Sequence, residues 1–347
     1  MTTTRRFAVL GLLLFAAFAA ELVLGSVRVP ATEVLSVLTG GGASRTVWEQ
    51  IVLSIRLPKA LTAVLAGAAL SASGLEMQTL FRNPLAGPFV LGINAGASVG
   101  VALVVLASGG VGAAALLPGL NLGVEIGTVG AAMAGAAAVM LIVVAAARRV
   151  TSVVTLLVLG LLIGYAASAT VNMLMHISAA DRIQTFVVWT FGSFGSVGWT
   201  RLGVLAAAVG AGLLIAVILV KPLNALLLGE TQALSLGVRP GRARILLVAS
   251  SALLAGAVTA FCGPITFVGV AVPHLARSRL RTADHRILLP AVMLLGAIVA
   301  LVSDLVAGLP GLDARLPLNA VTSLLGAPVV AAAVLRAERP DTRREAP

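Results

Sequence analysis

The chain has 347 residues, 59% of them hydrophobic and only 11% charged, with a net charge of +11. A soluble domain carries about 25% charged residues, so the composition excludes a soluble globular protein; with mean hydropathy +1.07 it describes a polytopic membrane protein. No polar stretch is long enough for a nucleic-acid domain, and a single cysteine, Cys262, excludes an intrachain disulfide or a cysteine metal cluster.

A membrane-spanning helix needs about 20 apolar residues, and ten apolar segments follow one another along the chain. The first, 7–24, follows Arg5-Arg6 and contains Ala17-Phe18-Ala19. That arrangement is shared by a cleavable signal peptide and an uncleaved first span. The second, 60–81, begins beside Arg56 and Lys59 and carries Leu65-Ala66-Gly67-Ala68. It also holds Glu76, five residues before Phe81 and so about 7–8 Å in at 1.5 Å per residue. A charge in the bilayer costs roughly 2.5–3.5 kcal/mol at its centre, which makes Glu76 a functional candidate. From its depth it faces a pathway, reaches Arg82, or reaches the interface.

Residues 82–100, RNPLAGPFVLGINAGASVG, interrupt the apolar pattern. Pro84 and Pro88 lack the N–H a helix needs. Backbone left unpaired at membrane depth must be buried in protein or line a cavity; an ordinary tight turn with a basic flank is the plain alternative. The third, fourth and fifth segments are 90–108, 124–147 and 153–175, with Arg148-Arg149, Thr151 and Ser152 between the last two. Met173, Met175 and His176 at the end of the fifth are soft ligands without a partner cluster and read as interfacial packing. Tyr165, Trp189 and Trp199 suit the same interface. After the sixth segment, 202–220, comes a polar stretch holding Lys221, Glu230, Arg239, Arg242 and Arg244. Its leucine patches, 226–228 and 234–236, are punctuated by Gly229 and Gly237, a pattern of short helices around glycine turns, or of a plain loop.

The seventh segment, 245–262, repeats Leu-Ala-Gly-Ala at 254–257. In a ten-span topology it runs opposite to the second, which suits an inverted repeat and equally suits close packing of small residues. The eighth, 265–276, is too short for a simple span, and Gly263-Pro264 and Pro273 place it inside the protein. The ninth is 287–306 and the tenth 318–335. Asp304, like Glu21 of the first segment, lies toward an outer end, where the charge penalty is expected to be small. Of the 24 Lys and Arg residues, 17 fall on one set of loops and 7 on the other (Arg28, Arg45, Arg56, Lys59, Arg182, Arg201, Arg315). The positive-inside rule puts the larger set, and both termini, in the cytoplasm. The chain has no nucleophile–base pair, no zinc spacing and no phosphate loop, its only lysines being Lys59 and Lys221. No catalytic residue, metal site or cofactor is expected.

Four blocks carry a resemblance: residues 56–98, 222–240 (PLNALLLGETQALSLGVRP), 263–277 (GPITFVGVAVPHLAR) and 316–329 (LPLNAVTSLLGAPV). Together they resemble the permeases of the iron-siderophore, haem and cobalamin importers, the membrane subunits of ATP-binding cassette (ABC) importers. The resemblance implies an all-α bundle of about ten spans with broken and short helices, forming one transmembrane domain over 1–347. It implies a second permease copy or sister subunit, a separate cytoplasmic ATPase dimer and an extracytoplasmic binding protein, all working at a bacterial inner or plasma membrane. Asn83 and Leu85 match one part of a cytoplasmic gate, and Thr151 and Ser152 the other. Leu228, Gly229 and Glu230 match the ATPase-coupling loop. Arg56 and Lys59 match basic residues that dock the binding protein, with headgroup anchoring as the plainer role; Arg315 joins them where the family often has an acid. The cargo expected is an iron chelate, with ferric siderophore favoured over haem or cobalamin. A proton-coupled transporter using Glu76 and Asp304 is the alternative.

Overall fold

The computed structural model describes residues 3–25, 27–106, 124–150, 152–309 and 315–337. Its elements are helical, and each of the ten apolar segments contains a helix. The first is α1 (Thr3–Val23), followed by the short α2 (Ala31–Leu38) and α3 (Thr46–Gln50). A π-helical turn, Ile51–Arg56, joins α3 to α4 (Leu57–Leu80), so the second span starts well before its apolar core. Then come α5 (Ile93–Val105), α6 (Val124–Arg149), α7 (Val153–His176), α8 (Ala180–Thr190) and α9 (Trp199–Ile218). The polar stretch forms α10 (Val220–Leu227) and α11 (Glu230–Ser235). The chain continues through α12 (Pro240–Cys262), α13 (Val268–Leu280), α14 (His285–Ala307) and α15 (Leu318–Ala337). Among the described residues seven helical stretches are long and apolar enough to cross a bilayer; α5, α13 and the apolar part of α15 are shorter.

Packing separates inner from outer helices. α4, α12 and α14 are largely buried, whereas α1, α6, α7 and α9 leave broad apolar faces such as Leu12, Phe15, Leu141, Leu162 and Leu214 exposed. In a bilayer those faces meet acyl chains. The inner helices approach closely because glycines lie where they cross: a Cβ on Gly67 would overlap the Gly296 carbonyl, and one on Gly74 the Gly269 carbonyl.

The packing partners also repeat. α4 packs on α14, α13 and α12; α12 packs on α6, α5 and α4. α5 touches α6 and α7 as α13 touches α14 and α15, and α6 packs on α7 as α14 packs on α15. Exchanging α4–α7 with α12–α15 therefore leaves the pattern unchanged, the arrangement suggested by the repeated Leu-Ala-Gly-Ala. Local chemistry fixes the ends. Asp284 caps α14 by accepting from the Arg286 N–H, and Ser152 caps α7 by accepting from that of Thr155. α4 ends at Leu80, the chain turns through Arg82 at φ 48° before Pro84, and Pro88 opens a 3₁₀ turn, Pro88–Leu91; Gly92, at φ 76°, then starts α5.

Candidate functional site

Polar side chains in this bundle gather in three places: one at each end of α4 and one about a turn in from the end where α4 stops. At the end where α4 stops, α10 and α11 lie across the ends of α4, α12 and α14. Gly229 turns between them at φ +115°, a conformation that other residues adopt only under strain. Asn224 on α10 is the hub of a buried chain. Its Oδ1 accepts from the His285 backbone N–H at 2.9 Å and lies 2.7 Å from His285 Nδ1; its Nδ2 donates to Asp284 Oδ1 at 2.7 Å. His285 Nε2 lies 2.8 Å from the Thr79 hydroxyl on α4. With Oδ1 as acceptor, Nδ1 carries the ring proton and Nε2 is an acceptor; the one Thr79 hydroxyl proton is shared between Nε2 and the Leu75 carbonyl, 2.9 Å away. Asp284 lies outside the spans. Its carboxyl is held below the usual 3.8, first by the Arg286 N–H and next by the Asn224 amide.

Arginines tie the rest of this end together. Arg244 is buried, donating to the Val150 carbonyl at 3.0 Å and pairing with Glu230 at 3.0 Å. Arg82, at φ 48°, donates to the Leu226 carbonyl at 3.3 Å. Arg277 donates to the Gln78 side chain, whose Nε2 donates to the Val270 carbonyl. A cleft of about 310 Å³ opens here, lined by Thr79, Arg82, Val153, Leu226, Glu230 and Arg244 among others. It brings Arg82, Val153 at the start of α7, and Leu226 and Glu230 of α10 and α11 to one place; Asn83, Leu85 and Ser152 are not in its lining. Asn83 and Leu85 are exposed, with Asn83 Oδ1 accepting from the Leu85 N–H at 2.9 Å. Ser152 is exposed, and Thr151 lies outside the described residues. Leu228, Leu234 and Leu236 are exposed on α10, α11 and their flanks.

About one turn in from that end, Glu76 is fully buried, and among the described residues neither carboxyl oxygen has a hydrogen-bond partner. Ser250 is the polar group beside it, but its hydroxyl donates to the Gly212 carbonyl. One turn away, the Ser73 and Ser251 hydroxyls meet at 2.6 Å between α4 and α12. Glu76 therefore reaches neither Arg82 nor the interface, the two shallow roles that its depth allowed.

At the far end, Lys59 pairs with Glu21 at 2.5 Å and Asp304 at 2.6 Å, joining α1, α4 and α14. Arg315 adds a 3.2 Å pair to Asp304 and is half exposed. Both carboxylates stand near the ends of their helices as expected, but they are buried, which corrects the expectation of a small cost; the lysine between them supplies the compensation. Arg56 is also buried rather than on the surface, its guanidinium donating to the Leu22, Val23 and Val27 carbonyls. Those carbonyls belong to the last turn of α1 and the chain just after it, and they satisfy Arg56 locally.

Several residues of the first end carry no sequence signal. Asn224, Asp284, His285 and Thr79 come from three separate stretches, and only folding makes them neighbours. Among the described residues no group of His, Cys, Asp and Glu is placed to hold a metal. Met173 is exposed near the end of α7, whereas Tyr165 is exposed at its middle, away from the interface expected for it.

The family model described as the FecCD transport family matches residues 12–336. A relative from Salmonella schwarzengrund, named vitamin B12 import system permease protein BtuC, is 39% identical over 84% of this chain and 85% of its own length. A relative of the same name from Citrobacter koseri is 38% identical, with 84% of each chain covered. A solved structure, reported as the inward-facing conformation of a protein taken to be a metal-chelate type ABC transporter, superposes with a TM-score of 0.82. It is 29% identical, and the match covers 96% of this chain and 99% of that one.

Proposed function

Because the chain belongs to the FecCD transport family, we propose that it is the membrane-spanning permease of an ATP-driven importer for a large metal chelate, with cobalamin the first cargo to test. It is a transport component rather than an enzyme. The names of the relatives move the expected cargo from ferric siderophore toward cobalamin. One observation carries the mechanism: α10 and α11 stand at the end of α4, hydrogen-bonded through Asn224 and His285 to α14 and α4, with the 82–85 segment beside them. A contact can drive a transition only if its free energy differs between the two states. With no nucleotide site in the chain, that contact lies on the surface of the α10–α11 loop. Leu228, exposed before the Gly229 turn, enters a groove on a separate ATPase subunit, and Glu230 is held in place by Arg244.

In this reading the basic end is cytoplasmic, and Asn83, Leu85, Thr151 and Ser152 narrow the pathway there. The opposite end receives a soluble binding protein. Arg315, half exposed, presents positive charge there, Lys59 is engaged by Glu21 and Asp304, and Arg56 holds α1 against the start of α4. Two permease subunits form the pathway between them. Glu76 is assigned no transport step.

The test is reconstitution of the permease with its ATPase and binding protein in proteoliposomes. Uptake of cyanocobalamin, haemin and a ferric hydroxamate is compared with and without ATP. ATP-dependent accumulation of cobalamin supports the proposal. Accumulation of the ferric hydroxamate alone overturns the cargo, and uptake by the permease without ATPase overturns the mechanism.

A further inference from the structure

A groove of about 580 Å³ runs between α1, α13 and α14, away from the polar clusters described above. Val9, Leu13, Leu275 and Leu295 line its length, and Arg6 and Arg279 stand at its mouth. Arg6 is held there by a 2.7 Å hydrogen bond from its Nη1 to the Leu280 carbonyl, the last residue of α13. Arg279 is exposed one residue earlier. Among the described residues no acid lines the groove, and neither arginine has an ion-pair partner. A second apolar groove, between α13, α14 and α15, has a volume of about 220 Å³ and no ionisable residue in its lining.

We propose that the first groove is a binding site for an anionic glycerophospholipid. Its phosphate lies between Arg6 and Arg279, and one acyl chain runs along Val9, Leu13, Leu275 and Leu295. The depth fits: Arg6 and Leu13 are seven residues apart on one helix, about 10 Å at 1.5 Å per residue. That distance runs from the headgroup level into the acyl region. Guanidinium groups bind phosphate oxygens through paired N–H donors, and basic pockets between spans on the cytoplasmic side suit anionic headgroups. The uncharged second groove offers an acyl chain the same kind of wall without a phosphate partner, so it should not discriminate between headgroups. The proposal goes beyond the transport reading and holds or fails without the ATPase or the cargo.

The test is native mass spectrometry of the full purified chain with phosphatidylglycerol or phosphatidylcholine of identical acyl composition. The wild type should retain phosphatidylglycerol preferentially. Each of Arg6→Gln and Arg279→Gln should reduce that preference about fivefold, the effect of about one surface arginine on anionic lipid binding. Leu13→Trp, which fills the groove and keeps both arginines, should abolish it. Arg279→Gln also answers any folding defect of Arg6→Gln, because Arg279 is exposed and outside the Leu280 contact. Equal retention of the two lipids by the wild type would overturn the site. So would a preference that survives Leu13→Trp and the paired Arg6→Gln, Arg279→Gln variant.

Discussion

Asn224→Ala is the substitution that most directly probes how α10 reaches the spans. It removes an acceptor shared by two His285 N–H groups and a donor to Asp284. His285 is fully buried, so its ring N–H is left without a partner; an unsatisfied buried polar group costs about 1–3 kcal/mol. Asn224 itself is half buried, and water entering its place keeps the expected loss within that range. If α10 carries the ATPase contact, this loss weakens the link between docking and the α4–α14 pair by roughly 5- to 150-fold. The assay is cargo moved per ATP hydrolysed in proteoliposomes, read beside the melting temperature of the permease. Asn224→Ala and His285→Leu should each lower the ratio while hydrolysis continues. The double variant should be little worse than either single one, because members of one hydrogen-bonded chain do not add. Thr79→Val, which cuts the same chain at α4, should behave alike. A normal ratio in Asn224→Ala, or full additivity of the pair, would refute the reasoning; a lowered melting temperature with a normal ratio would reduce the chain to scaffolding.

Lys59→Met should destabilise the bundle by about 3–5 kcal/mol, because it leaves Glu21 and Asp304 buried without their cation, while Lys59→Arg should recover most of the loss; thermal unfolding in lipid nanodiscs checks both. Gly74→Ala forces a Cβ against the Gly269 carbonyl and should cost about 1–3 kcal/mol in the same measurement. Gly210→Ala meets nothing within 4 Å and should be neutral or slightly stabilising. The Asp284 carboxyl is held below its usual 3.8, so its capping contribution is present above that pH and lost as pH falls through its folded value. The melting temperature of the wild type should therefore drop more steeply in that acidic range than that of Asp284→Asn, and equal slopes would count against it. In a Cys262→Ser background, Asn83→Cys and Thr151→Cys should change their labelling by a membrane-impermeant thiol reagent when ATP is added with the ATPase present; constant labelling at both positions would argue against a moving constriction.

The helices were legible because each is an apolar run closed by residues with a mechanical effect. Pro84 marks the break in the pattern just after α4, Pro88 opens the 3₁₀ turn, and Gly263-Pro264 and Pro273 mark the short, internal α13. The repeated Leu-Ala-Gly-Ala pointed to a relation that the packing of α4 and α12 shows. What sequence could not give was the direction a polar side chain faces. Position along a span sets depth relative to the membrane, but burial depends on which helix covers that face. Glu21 and Asp304 look shallow by count and are buried because α1, α4 and α14 close over them around Lys59. Arg56 looks like a surface cation and is buried because the end of α1 offers it three carbonyls. The short helices α2, α3 and α8 also escaped, since none has an apolar run long enough to stand out. The Asn224–His285–Thr79 chain had no spacing to betray it.

The distribution of these polar ties bears on what can move. α4 is bound by Lys59 to α1 and α14, by Ser73 to α12, by Gln78 to α13 and by Thr79 to α14. Displacing it alone would leave several buried polar groups unpaired at once, each at about 1–3 kcal/mol, and would disturb the glycine contacts with α13 and α14. A coupling free energy between two sites is typically only 1–3 kcal/mol, too little to break that set. α4 therefore moves with α12, α13 and α14 or not at all. The segment 82–92 and the start of α7 are held differently. Arg82 donates its side chain to the Leu226 carbonyl of α10, the Arg82 and Asn83 N–H groups bond back to the Thr79 and Gln78 carbonyls of α4 at 3.3 and 3.2 Å, and Ser152 caps its own helix. Moving the segment against α4 breaks those two backbone bonds. At about 0.5–1.5 kcal/mol net for each, that loss lies within the roughly 1–3 kcal/mol of a typical coupling, so a permease driven through α10 would open by shifting the 82–85 turn and the α7 terminus rather than α4. In that cleft such a movement must break or carry along the Arg82–Leu226 hydrogen bond and, on the α7 side, the Arg244–Val150 hydrogen bond.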